Sequence, residues 1–129
     1  MNRKFLIAAA ASGILCVGFG AFGAHGLKLL LPPEQLSVFE TGVRYQFYHT
    51  IALLAVSVLL LKNENNLLKW AGYAFITGII FFSGSLYLLA TRSLFGAEMT
   101  WLGPITPVGG LFFILGWLMI LLYALKNKS

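Results

Sequence analysis

Charged residues are scarce in this chain of 129 residues, of which only four are acidic and nine are lysine or arginine. They make up 10% of the sequence, whereas soluble domains carry about 25%. Hydrophobic residues supply 59%, and the mean hydropathy is +0.86. This composition excludes an ordinary soluble domain and indicates a membrane protein.

Metal-binding and redox residues are also rare. Cys16 is the only cysteine, which excludes an internal disulfide and a zinc site built on several cysteines. The two histidines stand in no close-spaced ligand motif, so we predict no metal and no cofactor. The net charge of +5 comes from basic residues scattered around apolar blocks, and we therefore expect no nucleic-acid partner.

Apolar runs predict an all-α fold, namely a polytopic membrane protein with a four-transmembrane-helix bundle in a single domain, 1–129. The predicted spans are approximately 5–24, 45–61, 70–90 and 107–125. Pro33 and Glu34 mark a helix start after the first span. We expect a short interfacial helix there, between spans 1 and 2, running into the second span with a bend at Gly42. The basic start before 5–24 resembles a cleavable leader, but its apolar run is long for one.

Basic residues are unequally divided between the two sides of this topology. Arg3, Lys4, Lys62, Lys69, Lys126 and Lys128 fall on the side of the termini, against Lys28, Arg44 and Arg92 on the other. Lysine and arginine are enriched in cytoplasmic loops, so we expect both termini in the cytoplasm.

Four unusual stretches fall in the outer half: 20–27 (Gly-Ala-Phe-Gly-Ala-His-Gly-Leu), 44–49 (Arg-Tyr-Gln-Phe-Tyr-His), 82–87 (Phe-Ser-Gly-Ser-Leu-Tyr) and 103–110 (Gly-Pro-Ile-Thr-Pro-Val-Gly-Gly). With these motifs in order, the chain resembles the small membrane proteins of the domain of unknown function 423 family, to which transmembrane protein 256 is similar. The resemblance implies a four-helix protein of the bacterial inner membrane. It implies no activity and no catalytic residue.

Arginines at the outer helix ends suggest an anion site. Helix N-termini carry partial positive charge, and Arg44 and Arg92 are expected at the same level. The alternative is that Arg44 pairs with Glu40, and Arg92 with Glu98 or with lipid headgroups. The predicted ligand-binding residues are His25, Arg44, Tyr48, His49, Ser83, Tyr87 and Arg92.

The histidines of this set are expected at the outer ends of adjacent spans, where their rings could approach each other. His25 and His49 then either cap helix ends by hydrogen bonding or form a proton relay, because histidine titrates near neutral pH.

The sequence thus predicts a small integral membrane protein that binds a lipid headgroup or small amphiphile in the outer half of its bundle, with membrane lipids as partners. The alternative is an accessory subunit or assembly factor of a larger membrane complex, with no small ligand of its own. A homo-oligomer also remains open. We expect no enzyme activity, because no nucleophile, acid and base constellation is recognisable.

Overall fold

The computed structural model describes residues 3–96 and 100–126, and four helices in these ranges are long and apolar enough to cross a membrane. Span 1 is Lys4–Leu30, span 2 is Pro33–Lys62, span 3 is Asn66–Ala90 and span 4 is Thr100–Lys126. No strand occurs in the described ranges. The predicted four-span all-α fold is therefore confirmed, and each helix begins before the start of its predicted span.

Span 2 is a continuous α-helix of 30 residues. It begins at Pro33, where a missing amide costs nothing, and Glu34 follows in its first turn. The predicted interfacial helix is the first part of this same helix, and Gly42 lies inside it without a break. His49 consequently lies about 20 Å along the helix from Lys62, inside the span rather than at its outer end.

Two π-helical turns interrupt the α-helices. Gly23–Leu27 joins the α-helix Lys4–Phe22 to a last turn, Lys28–Leu30, within span 1. Ile79–Ser83 lies between Asn66–Gly78 and Gly84–Ala90 in span 3. Such turns often occur at functional sites, because the extra residue changes the direction of the side chains that follow.

The remaining elements are short. A helix, Arg92–Phe95, follows span 3 and ends at Gly96, whose φ of 64° suits glycine. Span 4 begins with a 3-10 turn, Thr100–Leu102, and continues as the α-helix Ile105–Lys126. The irregular start predicted for span 4 is thus confined to the residues before Ile105, because the proline at 107 falls in the first helical turn, where its missing amide is tolerated.

Polar capping fixes the connection between spans 2 and 3. The Asn65 side-chain oxygen accepts hydrogen bonds from the amides of Leu67 and Leu68, at 2.8 and 3.3 Å. Lys69 forms an exposed ion pair with Glu64 at 2.8 Å, and the hydrogen bond from Lys69 lowers the pKa of the Glu64 carboxyl.

Two apolar clusters fill the bundle. We call the half that carries Arg3 and Lys126 the terminal half, and the opposite half the distal half. The terminal-half cluster contains Phe5, Ala9, Ala52, Leu53, Val56, Leu60, Leu68, Ala71, Phe75 and Phe113. The distal-half cluster contains Leu27, Leu31, Phe39 and Ala90.

Glycines bring spans 3 and 4 very close together. A Cβ atom added at Gly116 would lie 2.5 Å from the ring of Phe75, and one at Gly109 would lie 2.3 Å from the backbone nitrogen of Phe82. Spans 1 and 2 approach less evenly, since a Cβ at Gly20 would meet Val43 at 3.8 Å, whereas one at Gly23 would meet the ring of Phe39 at 3.1 Å. Small residues of this kind allow membrane helices to approach and gain dispersion energy.

Candidate functional site

Arg44 lies where two cavities meet along the seam between spans 1 and 2. The distal cavity has a volume of about 220 Å³ and is lined by Phe19, Gly20, Gly23, Phe39, Glu40, Val43 and Arg44. The middle cavity has a volume of about 230 Å³ and is lined by Cys16, Val17, Val43, Arg44, Phe47 and Tyr48. Both share Val43 and Arg44 and so lie side by side, and we call the two together the seam groove.

The position of Arg44 matches the boundary of a bilayer. Span 2 rises about 27 Å between Arg44 and Lys62, close to the ~30 Å thickness of a hydrocarbon core. If Lys62 lies at one boundary, Arg44 lies at the other. The distal cavity then opens among headgroups, and the middle cavity lies beside acyl chains.

The guanidinium of Arg44 is not neutralised by a carboxylate. Its Nη2 donates a hydrogen bond to the Thr41 hydroxyl at 3.1 Å, and that hydroxyl donates to the Ser37 carbonyl at 3.0 Å. Among residues 3–96 and 100–126, the ion pair found joins Lys69 to Glu64. Arg44 therefore does not pair with Glu40, and its charge is available to a ligand.

Glycine in span 1 makes room for the distal cavity. Gly20 presents no side chain to it, and a Cβ at Gly23 would lie 3.1 Å from the ring of Phe39. Larger residues at these positions would fill the space or displace the ring. The π turn that begins at Gly23 ends this wall of the groove.

A buried polar network lies behind the seam groove and joins spans 1 and 2. Gln46 donates to the backbone and side-chain oxygens of Ser12, at 3.2 and 3.0 Å. Thr50 donates to the Gln46 carbonyl at 2.7 Å, so the hydroxyl of Ser12 donates to that of Thr50 at 2.6 Å. Each polar side-chain atom therefore has a partner, as buried polar groups in a membrane require.

Span 3 extends this network to the groove. The Tyr87 hydroxyl donates to the side-chain oxygen of Gln46, and the Tyr87 ring contacts Phe19 and Phe39 with centroid separations of 5.0 Å each. Ser83, fully buried, donates to the carbonyl of Gly42 at 2.7 Å. Of the predicted residues, Tyr87 thus supports two rings of the groove wall, and Ser83 holds span 3 against span 2.

His49 is buried among aromatic rings on another side of span 2. Its ring stacks on Phe113 with a centroid separation of 3.6 Å. Nδ1 lies 2.7 Å from the carbonyl of Tyr45, and Nε2 accepts from the indole of Trp117 at 3.1 Å. Because a carbonyl only accepts, this assigns the proton to Nδ1 and leaves a neutral imidazole with both nitrogens engaged.

His49 also lines a third cavity, of about 380 Å³, formed by Tyr45, His49, Phe82, Pro107, Gly110, Leu111, Phe113, Ile114 and Trp117. Residues of span 4 form most of the wall of this cavity, and Arg44 does not line it.

Two predicted site residues lie elsewhere. His25 is exposed on the π turn of span 1, has no ring or hydrogen-bond partner in the described part of the chain, and is not among the ring partners of His49. Arg92 is exposed and donates from Nη1 to the carbonyl of Leu89 at 2.6 Å. Neither lines the cavities above. Glu98, the predicted partner of Arg92, lies outside the described residues.

The structure brings together only part of the predicted set. Arg44 and Tyr48 line the seam groove, and Tyr87 supports it from behind. The predicted approach of His25 to His49 is wrong, because His49 lies within the span. No group of three or more histidine, cysteine or acidic side chains able to hold a metal occurs among the residues that the structure describes.

Sequence reasoning missed the buried network as a unit. Gln46 belongs to the unusual motif at 44–49, but no sequence pattern connects it to Ser12 in span 1. The available signal was a pair of polar residues four apart, Gln46 and Thr50, which share one face of span 2 within an apolar run.

Comparison with known proteins identifies the family of this chain. The model described as "Protein of unknown function (DUF423)" matches residues 19–110. The chain belongs to this family.

Membrane proteins of several bacteria resemble this DUF423 protein over nearly their whole length. A UPF0382 membrane protein of Staphylococcus aureus is 43% identical over 96% of this chain and 97% of its own. The UPF0382 membrane protein of Haemophilus influenzae is 41% identical over 100% of this chain and 99% of its own. The corresponding Bacillus subtilis protein, YwdK, is 42% identical over 96% and 98%. No solved structure matches this DUF423 protein.

Proposed function

We propose that this small integral membrane protein binds a lipid headgroup or small amphiphile in the seam groove. The observation that carries the proposal is a free guanidinium, Arg44, at the junction of a distal cavity and an apolar middle cavity. An anionic group on Arg44 would gain a charge-assisted hydrogen bond, while an apolar chain would lie between Val17 and Phe47. A binding role, rather than catalysis, fits these residues.

Native mass spectrometry of the gently solubilised protein tests this proposal. We expect one amphiphile bound at fixed stoichiometry to the unaltered protein. Arg44→Gln should weaken its retention about tenfold, because a hydrogen bond to a charged group contributes at least ~1.5 kcal/mol. Arg92→Gln is the matched control, since Arg92 is exposed in the same half but lies outside the groove. Equal retention by the two variants would contradict the proposal.

The distribution of lysine and arginine also bears on how the protein is oriented in the membrane. We propose that the terminal half faces the cytoplasm of a bacterial inner membrane and that the seam groove opens on the opposite surface. The excess of lysine and arginine on the terminal side supports this arrangement. In a Cys16→Ser background, an impermeant maleimide added to intact cells should label Ser93→Cys but not Lys126→Cys. The reverse labelling pattern would invert the topology.

A second candidate is an accessory role in a larger membrane complex or in a homo-oligomer. The surface of span 4 favours it, because only Gly109, Phe113 and Gly116 are buried along Ile105–Lys126. The same mass spectra distinguish the candidates. A stoichiometric larger subunit, or a second copy, retained without any lipid would favour the accessory role over amphiphile binding.

A further inference from the structure

Glu40 and Arg44 place opposite charges on the wall of one cavity. They stand four residues apart on span 2, both are exposed, and both line the distal cavity. Side chains at this spacing share a helix face and commonly pair. Here they do not, because Arg44 hydrogen-bonds to Thr41 instead.

The rest of the seam groove is apolar. Beyond Glu40 and Arg44, the distal cavity is walled by Phe19, Phe39 and Val43 with two glycines. The middle cavity continues from Arg44 towards the terminal half and has no second charged residue among those that line it. The groove therefore offers one negative charge, one positive charge and apolar walls on both sides of Arg44.

We propose that the seam groove is selective for a zwitterionic amphiphile that carries a phosphodiester and a primary ammonium, as in an ethanolamine phospholipid. This inference rests on the proposed function and specifies its ligand. The phosphodiester lies on Arg44, the ammonium donates to the Glu40 carboxylate, and an acyl chain follows the middle cavity.

Charge and hydrogen-bond complementarity favour this headgroup over the other common ones. A purely anionic headgroup would satisfy Arg44 but would leave the Glu40 carboxylate facing a second negative charge. A choline headgroup has the right net charge, but its quaternary nitrogen has no N–H to donate to a carboxylate. A primary ammonium has three donors, so only it completes both contacts.

The experiment is native mass spectrometry from nanodiscs that contain equal amounts of ethanolamine, glycerol and choline phospholipids with identical acyl chains. The unaltered protein should retain the ethanolamine lipid about fivefold over the others. Glu40→Gln should remove this preference, and Arg44→Gln should lower retention of all three lipids, because each carries a phosphodiester. Glu34→Gln is the matched control, because Glu34 is exposed on the same helix but does not line the cavity.

Each outcome decides between distinct conclusions. Retention of all three lipids equally, or the same preference in Glu40→Gln as in the unaltered protein, would overturn headgroup selectivity and leave amphiphile binding intact. No retained lipid at all would overturn the proposed function itself. Glycerophosphoethanolamine, which has the headgroup without acyl chains, should displace the lipid only at much higher concentration. Displacement at equal concentration would show that the source is a soluble headgroup compound.

Discussion

Replacing Gln46 by leucine tests the buried network most directly. Leucine keeps a similar volume but removes the side-chain hydrogen bonds to Ser12 and from Tyr87, three in total. Interhelical hydrogen bonds in membrane proteins average about 0.6 kcal/mol, so these contribute about 2 kcal/mol. The Tyr87 hydroxyl, left buried without an acceptor, raises the expected loss of unfolding free energy to about 2 to 3 kcal/mol.

The assay is reversible unfolding in mixed micelles, followed by helicity. Tyr87→Phe should lower the unfolding free energy by about 1 kcal/mol, because it removes the hydrogen bond to Gln46. Tyr45→Phe is its control, because Tyr45 is exposed and its hydroxyl has no hydrogen bond in the described structure. The double variant, Gln46→Leu with Tyr87→Phe, should lose about 1 to 2 kcal/mol less than the sum of the single losses, because that sum counts the shared hydrogen bond twice and the double variant leaves no tyrosine hydroxyl unpaired. A loss below about 0.5 kcal/mol in Gln46→Leu, or strict additivity, would refute the network as a stabilising unit.

Two further variants examine packing and protonation. Gly109→Ala should lower the unfolding free energy by about 3 kcal/mol, because its Cβ would meet the Phe82 backbone nitrogen at 2.3 Å. Gly18→Ala, with nothing within 4 Å, should be neutral or stabilising in the same assay, and equal losses would contradict this packing. Trp117→Phe should alter the nitrogen-15 NMR signal of His49 Nε2 while Nδ1 stays protonated. A proton on Nε2 in the unaltered protein would disprove the assigned tautomer.

The number and type of helices could be predicted because apolar runs of about 20 residues in a charge-poor chain admit few other structures. The extent of span 2 could not. Gly42 suggested a bend, but in the structure its missing side chain accommodates the Tyr87 ring, which a Cβ would meet at 2.9 Å. A contact between residues 45 positions apart leaves no local pattern in the sequence. The depth of His49 was misjudged because the helix extends back to Pro33 without a bend.

The candidate site was predictable in part. The positive charge of Arg44 near the bilayer boundary followed from its place at the end of an apolar run. The hydrogen-bond partner of Arg44 could not be predicted in this way. The spacing to Glu40 predicts an ion pair, whereas the guanidinium donates to the hydroxyl of Thr41, three residues earlier. A long exposed side chain can reach several hydrogen-bond acceptors, and sequence spacing alone does not show which of them it will contact.

The unequal glycine contacts give the bundle an unequal stiffness. Spans 3 and 4 interlock where Phe75 fits over Gly116 and where Gly109 meets the backbone at Phe82, so neither helix can slide or rotate without a steric clash. Between spans 1 and 2 there is room for a Cβ at Gly20, which would meet Val43 at 3.8 Å, but less at Gly23, which would meet the Phe39 ring at 3.1 Å. A deformation of this bundle should therefore begin beside Gly20 and Val43, on the wall of the distal cavity, while spans 3 and 4 keep their relative position.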